Sequence, residues 1–136
     1  MAADSGACDN VIDPADVPMY DVTESAESKR GDGFSSATNE EIPNLGDLKI
    51  PMLTREGTVR GMKMCAAPVA RPLASVRKMN EAGHVVVFDL DGSFILNKST
   101  GEINMLRHEG GNFMLDVLIP PPGTEPEQMV SFGRLP

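Results

Sequence analysis

Carboxylates occur at two places in this chain where their neighbours could give them a chemical role. The first is Asp4, which is followed by Ser5, Gly6 and Ala7. Gly6 lets a backbone N–H approach the carboxylate with no Cβ in the way. Two such carboxylates held together share one proton, so that one acts as a base toward water and the other as an acid toward a carbonyl oxygen. An Asp-Ser/Thr-Gly triplet also arises by chance in roughly a few per cent of chains of this length, and a surface turn is then its simplest interpretation.

The second place is Asp89 and Asp91, which follow the apolar run 85–88. A buried strand that delivers one aspartate, with another two residues on, resembles the first motif of haloacid-dehalogenase-type phosphatases. That resemblance implies a nucleophile at Asp89 and an acid/base at Asp91. The fold of those phosphatases needs parallel strands joined by long crossovers, but only residues 92–136 follow and turn signals interrupt them. A hairpin turn at Asp91-Gly92 is therefore the favoured interpretation.

Composition limits the possible functions. The chain has 136 residues, of which 40% are hydrophobic and 24% charged, enough for one packed domain. Its net charge of −8 argues against general nucleic-acid binding, and no apolar run approaches the length of a membrane helix. Residues 1–47 hold eleven acidic residues against Lys29 and Arg30, which predicts an acidic exposed face. With no signal-peptide pattern and only two cysteines, we expect an intracellular, reducing setting.

Local patterns predict a mostly β chain. Segment 34–53 has the pattern of a hairpin with a polar tip around residues 39–41. One helix is predicted between the N-cap residue Ser75 and Gly83, because apolar residues between them share one face. From residue 84 to 119, the pairs Asp-Gly, Thr-Gly and Gly-Gly recur every nine to ten residues between apolar runs, which is typical of an antiparallel meander.

The stretch 71–89 resembles the second half of the retropepsin domain of copia-like retrotransposons. In that family an apolar pair and a small residue open the single helix, and a buried strand that ends in Phe-Asp follows it. The Asp-Ser-Gly triplet and the hairpin at 34–53 stand in the order of the family's catalytic loop and flap. The positions that carry the resemblance after the flap are Leu73, Ser75, Val76, Glu81, Ala82, Gly83, Phe88 and Asp89.

The resemblance implies an all-β fold, namely a closed retropepsin-like acid-protease β-barrel with one short helix over residues 1–97. This domain is expected to lack the family's leading strand, because only three residues precede Asp4. Residues 98–119 are expected to form a β-hairpin extension and residues 120–136 a flexible Pro-rich tail. The chain is therefore expected to be an N-terminally truncated polyprotein fragment or a decayed open reading frame.

The same resemblance implies an aspartic endopeptidase that cleaves a retroelement polyprotein. Because the chain has one such triplet and the chemistry needs two carboxylates, a homodimer with one Asp4 from each copy is expected. Ser5 would tie the two loops together, and the flap would pair with a bound peptide as an added strand. The implied residues are catalytic Asp4, Ser5, Gly6 and Ala7, flap Thr38, Asn39, Glu40, Glu41 and Ile42, and supporting Leu73, Ala74 and Ser75.

The expected partners are a second copy and a peptide or polyprotein, with no direct nucleic-acid or membrane partner and no cofactor or metal. The expected location is the cytoplasm, for example within virus-like particles. Two alternatives stay open: a catalytically dead β domain kept for dimerisation, and the phosphatase that uses Asp89 and Asp91. Cys8 is interpreted as a buried structural thiol, and His84 and His108 as strand-end residues rather than metal ligands.

Overall fold

The computed structural model describes residues 1–35 and 40–125. Two short α-helices and one 3-10 helix accompany twelve strands in this part of the chain. The helices are α1 Ala26–Lys29 and α2 Val76–Glu81, and the 3-10 helix is Pro14–Asp16. The strands are β1 Ala2–Asp4, β2 Val11–Ile12, β3 Gly33–Ser35, β4 Glu41–Pro43, β5 Gly46–Thr54, β6 Val59–Ala66, β7 Leu73–Ser75, β8 His84–Val87, β9 Ser93–Asn97, β10 Ile103–Glu109, β11 Asn112–Met114 and β12 Val117–Leu118.

Ten of the strands form one sheet in the order β12-β5-β6-β2-β7-β1-β11-β10-β9-β8, and β3 and β4 form a separate pair. The prediction of an all-β chain is confirmed. The antiparallel meander is confirmed as well, since β8, β9, β10 and β11 pair with their sequence neighbours. Its last turn is the tightest, with Gly110 at φ 57° and Gly111 at φ 82°, the left-handed values that a two-residue hairpin loop needs and glycine tolerates.

The middle of the sheet is built from two parallel pairs. β1 lies parallel to β7, with Ala3 opposite Ala74 and Asp4 opposite Ser75. β2 lies parallel to β6 over two residues, Val11 opposite Cys65 and Ile12 opposite Ala66. Between them β2 pairs antiparallel with β7 through Val11 and Leu73. The loop that carries the Asp-Ser-Gly triplet therefore starts in the centre of the sheet.

Segment 112–118 pairs with both ends of the row of strands that runs from β5 to β1. Its first part, β11, lies beside β1, and its second part, β12, lies beside β5. The expected closed barrel is not found: in the described residues no hydrogen-bonded pairing joins the two edge strands, β12 and β8. The physical reason is the meander, which continues the sheet outward from β11 and leaves β8 as a free edge.

The buried apolar residues form two cores. One contains Leu48, Ile50, Met52 and Met64 from β5 and β6, each at most 1% exposed. The other packs α2 through Met79 against Ile95, Leu106 and Leu115. Met1 and Val117 contact both cores, so the ends of segment 1–118 help to join them.

The predicted helix is confirmed as α2. Ser75 is its N-cap, since its hydroxyl accepts from the Lys78 N–H at 3.2 Å, and Gly83 follows with φ 90°. The expectation of only one helix is wrong, because α1 forms in a stretch that shows no apolar periodicity. Ser25 and Ser28 cap this single turn reciprocally, each side chain accepting from the other's N–H at 3.0 Å and 2.9 Å. Among the described helices none is long and apolar enough to cross a membrane.

The predicted hairpin at 34–53 is only partly correct. Phe34 pairs with Ile42, and Ser35 with Glu41, as expected. The return strand, however, breaks before Gly46, which has φ 133° and lies so close to Thr23 that a Cβ would collide with the Thr23 carbonyl oxygen. Residues from Gly46 onward instead pair with β6. The tip residues Thr38 and Asn39 lie outside the described residues.

Candidate functional site

The carboxylate of Asp4 is held by its own loop. Asp4 ends β1 and is partly buried, and its Oδ1 accepts a hydrogen bond of 2.7 Å from the Gly6 N–H. A Cβ on Gly6 would lie 3.3 Å from that same oxygen, tighter than ordinary van der Waals contact. Gly6 therefore permits the short backbone-to-carboxylate contact that fixes the direction of the Asp4 side chain.

Below this loop lies Ser75, which is fully buried. Its hydroxyl donates to the Ala7 carbonyl oxygen at 2.7 Å, and its N–H donates to Asn10 Oδ1 at 2.8 Å. The same hydroxyl caps α2, so one side chain joins the end of the triplet loop to the start of a helix. Leu73 and Ala74 precede it in β7, opposite Ala2 and Ala3 of β1. The structure thus brings together the residues expected to be catalytic and those expected to support them.

Asn10 belongs to this arrangement, although the sequence analysis does not single it out. Besides accepting from Ser75, its Nδ2 donates to the Lys63 carbonyl oxygen at 3.2 Å, and its own carbonyl accepts from the Cys65 N–H at 2.8 Å. Asn10 therefore joins the loop to both β7 and β6. The only signal in sequence is a small amide residue just before the apolar pair Val11-Ile12, which is too common to stand out.

The polar groups of the triplet that face outward are unpaired within the described residues. Ser5 is exposed, and its hydroxyl makes no hydrogen bond there. Asp4 Oδ2 likewise has no donor, and no cationic side chain in that part of the chain makes an ion pair with Asp4. Both groups are thus available to a molecule outside this chain.

Of the expected flap residues, Glu40, Glu41 and Ile42 lie within the described part of the chain. Glu41 and Ile42 lie in β4, Glu41 exposed and Ile42 half-buried, and Glu40 just before them is exposed. β3 and β4 pair with each other and with no other described strand. Among the described strands the hairpin is therefore a separate two-stranded unit.

Asp89 and Asp91 lie in the five-residue turn between β8 and β9. Asp89 Oδ1 accepts from the Asp91 N–H at 3.0 Å, and the Ser93 hydroxyl donates to the Asp89 carbonyl at 2.6 Å. Both aspartates are exposed, and β8 and β9 are antiparallel neighbours. The side chain of Asp89 thus stabilises its own turn, and the strand–crossover–strand unit that a phosphatase of that type needs is not formed by β8 and β9.

The two cysteines have different surroundings. Cys8 is exposed, so its interpretation as a buried thiol is wrong: its side chain points outward from the loop between β1 and β2. Burial raises the pKa of the Cys65 thiol to about 11, and the nearby carboxylates of Asp9 and Asp47 add to the rise. No group of three or more His, Cys, Asp or Glu side chains suited to a metal ion occurs in residues 1–35 and 40–125.

A cleft of about 370 Å³ lies beside β6, α2 and β9. Its walls include Asp9, Asn10, Arg60, Met79 and Asn104. A second pocket, of about 420 Å³, lies around Tyr20 and Lys49. Asp4 lines neither of these two pockets.

Comparisons with known proteins return no relative. No family model, no curated protein and no solved structure matches this chain.

Proposed function

We propose that this chain is one half of a retropepsin-like aspartic endopeptidase, active as a homodimer in which two copies of Asp4 meet on a two-fold axis. The observation that carries the proposal is the fixed triplet loop. Asp4 leaves the centre of the sheet, Gly6 orients its carboxylate at 2.7 Å, and Ser75 anchors the loop from below. This arrangement presents one carboxylate with a free oxygen and no cation beside it in the described residues.

The chemistry follows from pairing two such carboxylates. Close together, they cannot both ionise, so the dyad holds one proton and titrates as a unit. The ionised Asp4 takes a proton from a water molecule that attacks the scissile carbonyl carbon. The protonated Asp4 of the other copy donates to the carbonyl oxygen, and the tetrahedral species then breaks down with a proton passed to the leaving amine.

The other residues of the loop serve the dyad. The unpaired Ser5 hydroxyl is free to hydrogen-bond across the two-fold axis and hold the two loops in register. Ala7 is small, and its carbonyl is fixed by Ser75, so the segment below the dyad is rigid. The β3–β4 hairpin would cover a bound peptide and pair with it through Glu40, Glu41 and Ile42. Polyprotein cleavage in the cytoplasm is the setting we propose.

The experiment compares the chain with its Asp4→Asn variant on a library of quenched fluorescent peptides, at acid to neutral pH. We expect cleavage by the parent chain, inhibition by a pepstatin-type transition-state analogue, and no cleavage by the variant with its fold intact. An Asp89→Asn variant serves as the matched control and should cleave normally, because Asp89 acts only in its own turn. Cleavage that persists in purified Asp4→Asn protein would refute the assignment.

A folded dimer that cleaves nothing would instead identify the chain as a dimerisation module without activity. Loss of magnesium-dependent phosphate release in Asp89→Asn, but not in Asp4→Asn, would establish the phosphatase alternative. The same two variants therefore separate the three interpretations.

A further inference from the structure

Strand β6 has a free edge along the cleft. On one side β5 pairs with it over its whole length, from Leu53 opposite Val59 to Gly46 opposite Ala66. On the other side β2 covers only Cys65 and Ala66. In the described part of the chain no further strand pairs with β6, so residues 59–64 have no strand partner on that side. Among the described residues, the only hydrogen bond to their backbone there comes from the side chain of Asn10, whose Nδ2 donates to the Lys63 carbonyl oxygen at 3.2 Å.

The backbone groups at this edge can be assigned from the register. Gly61 faces Pro51, which has no N–H, so the bonds to β5 pass through the alternate residues. The backbone N–H and C=O groups of the odd-numbered residues of β6 then point away from β5. Cys65 agrees with this assignment, because its N–H donates to the Asn10 carbonyl oxygen rather than to β5. The N–H and C=O of Gly61 and the N–H of Lys63 therefore face the cleft without a strand partner. Gly61 itself lines the cleft.

Two side-chain donors in the same cleft also lack acceptors. Arg60 Nη2 is buried and has no hydrogen-bond partner in the part of the chain that the structure describes. Its nearest carboxylate oxygen, Glu102 Oε1, is 3.9 Å away, beyond hydrogen-bond distance but close enough to balance the charge. Asn104 is 5% exposed; its Oδ1 accepts from Thr54 Oγ1 at 2.5 Å, while its Nδ2 has no acceptor among the described residues.

The unpaired donors of Arg60 and Asn104 indicate which chemical groups a ligand of this cleft must offer. Because Glu102 already balances the charge of Arg60, the missing group is a neutral acceptor rather than an anion. A buried donor without an acceptor is costly, because it has lost its hydrogen bond to water and gained none in return. The facing wall includes apolar Met79, Ile95 and Leu115. The charged lining residues Lys63 and Lys78 are ion-paired with Asp47 and Asp9, at 3.3 Å and 3.4 Å. A ligand must thus offer carbonyl oxygens along one side and apolar groups along the other.

We propose that this cleft binds an extended, uncharged peptide segment, which adds to the free edge of β6 as a strand. Its backbone pairs with Gly61, a carbonyl oxygen accepts from Arg60 and Asn104, and alternate apolar side chains contact Met79 and Ile95. From Arg60 to Lys63, β6 covers about 10 Å, the length of about three extended residues. The site is distinct from Asp4, which does not line the cleft, and it does not depend on peptide cleavage.

The probe is an acetylated tetrapeptide amide that alternates Thr and Leu, measured in the Asp4→Asn variant so that no cleavage can consume it. Two further peptides carry N-methyl groups on either the odd or the even amides. A bound strand turns only alternate N–H groups toward β6, so one N-methyl isomer should bind like the parent and the other about tenfold or more weakly. The NMR signal of the Gly61 amide should shift downfield on binding.

On the protein side, Arg60→Met should weaken binding of the parent peptide by about tenfold, since it removes a donor but keeps the length of the side chain. Arg71→Met is the matched control, because Arg71 is exposed, outside the cleft and without an ion pair among the described residues, and it should bind as before. Absence of parent binding at about 1 mM, the weakest useful affinity, would overturn the proposal. Equal behaviour of the two N-methyl isomers, whether both bind or neither does, would also overturn it, even if Arg60→Met failed to fold.

Discussion

The Ser75 hydroxyl lies 2.7 Å from the carbonyl oxygen of Ala7, across 68 residues of sequence, and at the same time accepts from the Lys78 N–H at 3.2 Å. One buried hydroxyl therefore joins the candidate catalytic loop to the first turn of α2. Since Asp4 and Ser75 are also opposite each other in the parallel pair β1–β7, the position of the carboxylate is tied to the helix. Packing of α2 in the second core thus determines where Asp4 lies.

Removal of the Ser75 hydroxyl should lower the free energy of unfolding. Ser75→Ala leaves the Ala7 carbonyl without its donor and α2 without its cap, for a combined loss of about 2–3 kcal/mol in the free energy of unfolding. Chemical denaturation measures it. The exposed Ser99, whose hydroxyl makes no hydrogen bond in the described residues, is the control, and Ser99→Ala should unfold like the parent. Equal midpoints for Ser75→Ala and the parent would show that this hydroxyl does not anchor the loop.

Gly6→Ala tests the space beside the carboxylate. The added Cβ lies 3.3 Å from Asp4 Oδ1, so the side chain must shift by a few tenths of an ångström. We expect a folded protein whose peptide cleavage is lower by about tenfold, since misplacement of a reacting group is costly in rate. Gly92→Ala, where a Cβ meets nothing within 4 Å, should cleave at the parent rate. Full activity in Gly6→Ala would mean that Asp4 is not positioned by this contact.

Asp116 should make the stability of the fold depend on pH. The guanidinium of Arg107 makes two hydrogen bonds to this carboxylate, at 2.9 Å and 3.0 Å, and holds the pKa of Asp116 below its usual range. A carboxyl with a lowered pKa in the folded state stabilises the fold above its unfolded-state pKa, and this contribution is lost as pH falls through the folded-state pKa.

Asp116→Asn should therefore lower the thermal midpoint at neutral pH, and the two proteins should converge as pH falls through the lowered pKa of Asp116. High salt should also narrow the difference, because the carboxylate is partly exposed. Asp91→Asn, at an exposed position without an ion pair in the described residues, is the control and should follow the parent at every pH. If the difference in thermal midpoint between Asp116→Asn and the parent instead grew as the pH fell, Asp116 would not stabilise the fold as a carboxylate.

The cysteines should react at very different rates. Burial raises the pKa of Cys65 to about 11, so at about pH 8 only roughly one molecule in a thousand carries the reactive thiolate. Cys8 is exposed and open to the reagent. Titration with a disulfide reagent should show one fast and one slow thiol in the native protein, and Cys8→Ser should remove the fast phase. Loss of the slow phase instead would reverse the assignment.

Local chemistry predicts the second half of the chain well. The meander follows from glycine turns such as Gly110-Gly111, and α2 follows from Ser75 and Gly83, all within a few residues of the structure they specify. Strands β1 and β2, of three and two residues, show no such signal. Their parallel pairs with β7 and β6 join residues more than fifty positions apart, and only packing of the whole core selects them.

Some residues of the candidate site can likewise be predicted from the sequence, and others cannot. Asp4, Gly6 and Ser75 can be singled out because their residue types fit a known loop. Asn10 and the unpaired Arg60 Nη2 cannot, because their roles depend on Lys63, Ser75 and Glu102, which other elements bring to them. The free edge of β6 is likewise a property of the assembled sheet, since it exists only because β2 is two residues long.

Titration of the parent chain with its own Asp4→Asn variant tests the shared-carboxylate account most directly. If each active site needs an Asp4 from two chains, subunit exchange with an equal amount of variant should leave about half the cleavage rate per parent chain, because half of those chains are then in mixed, inactive dimers. Further variant should reduce the rate toward zero. A rate per parent chain that is unaffected by any excess of variant would contradict the account.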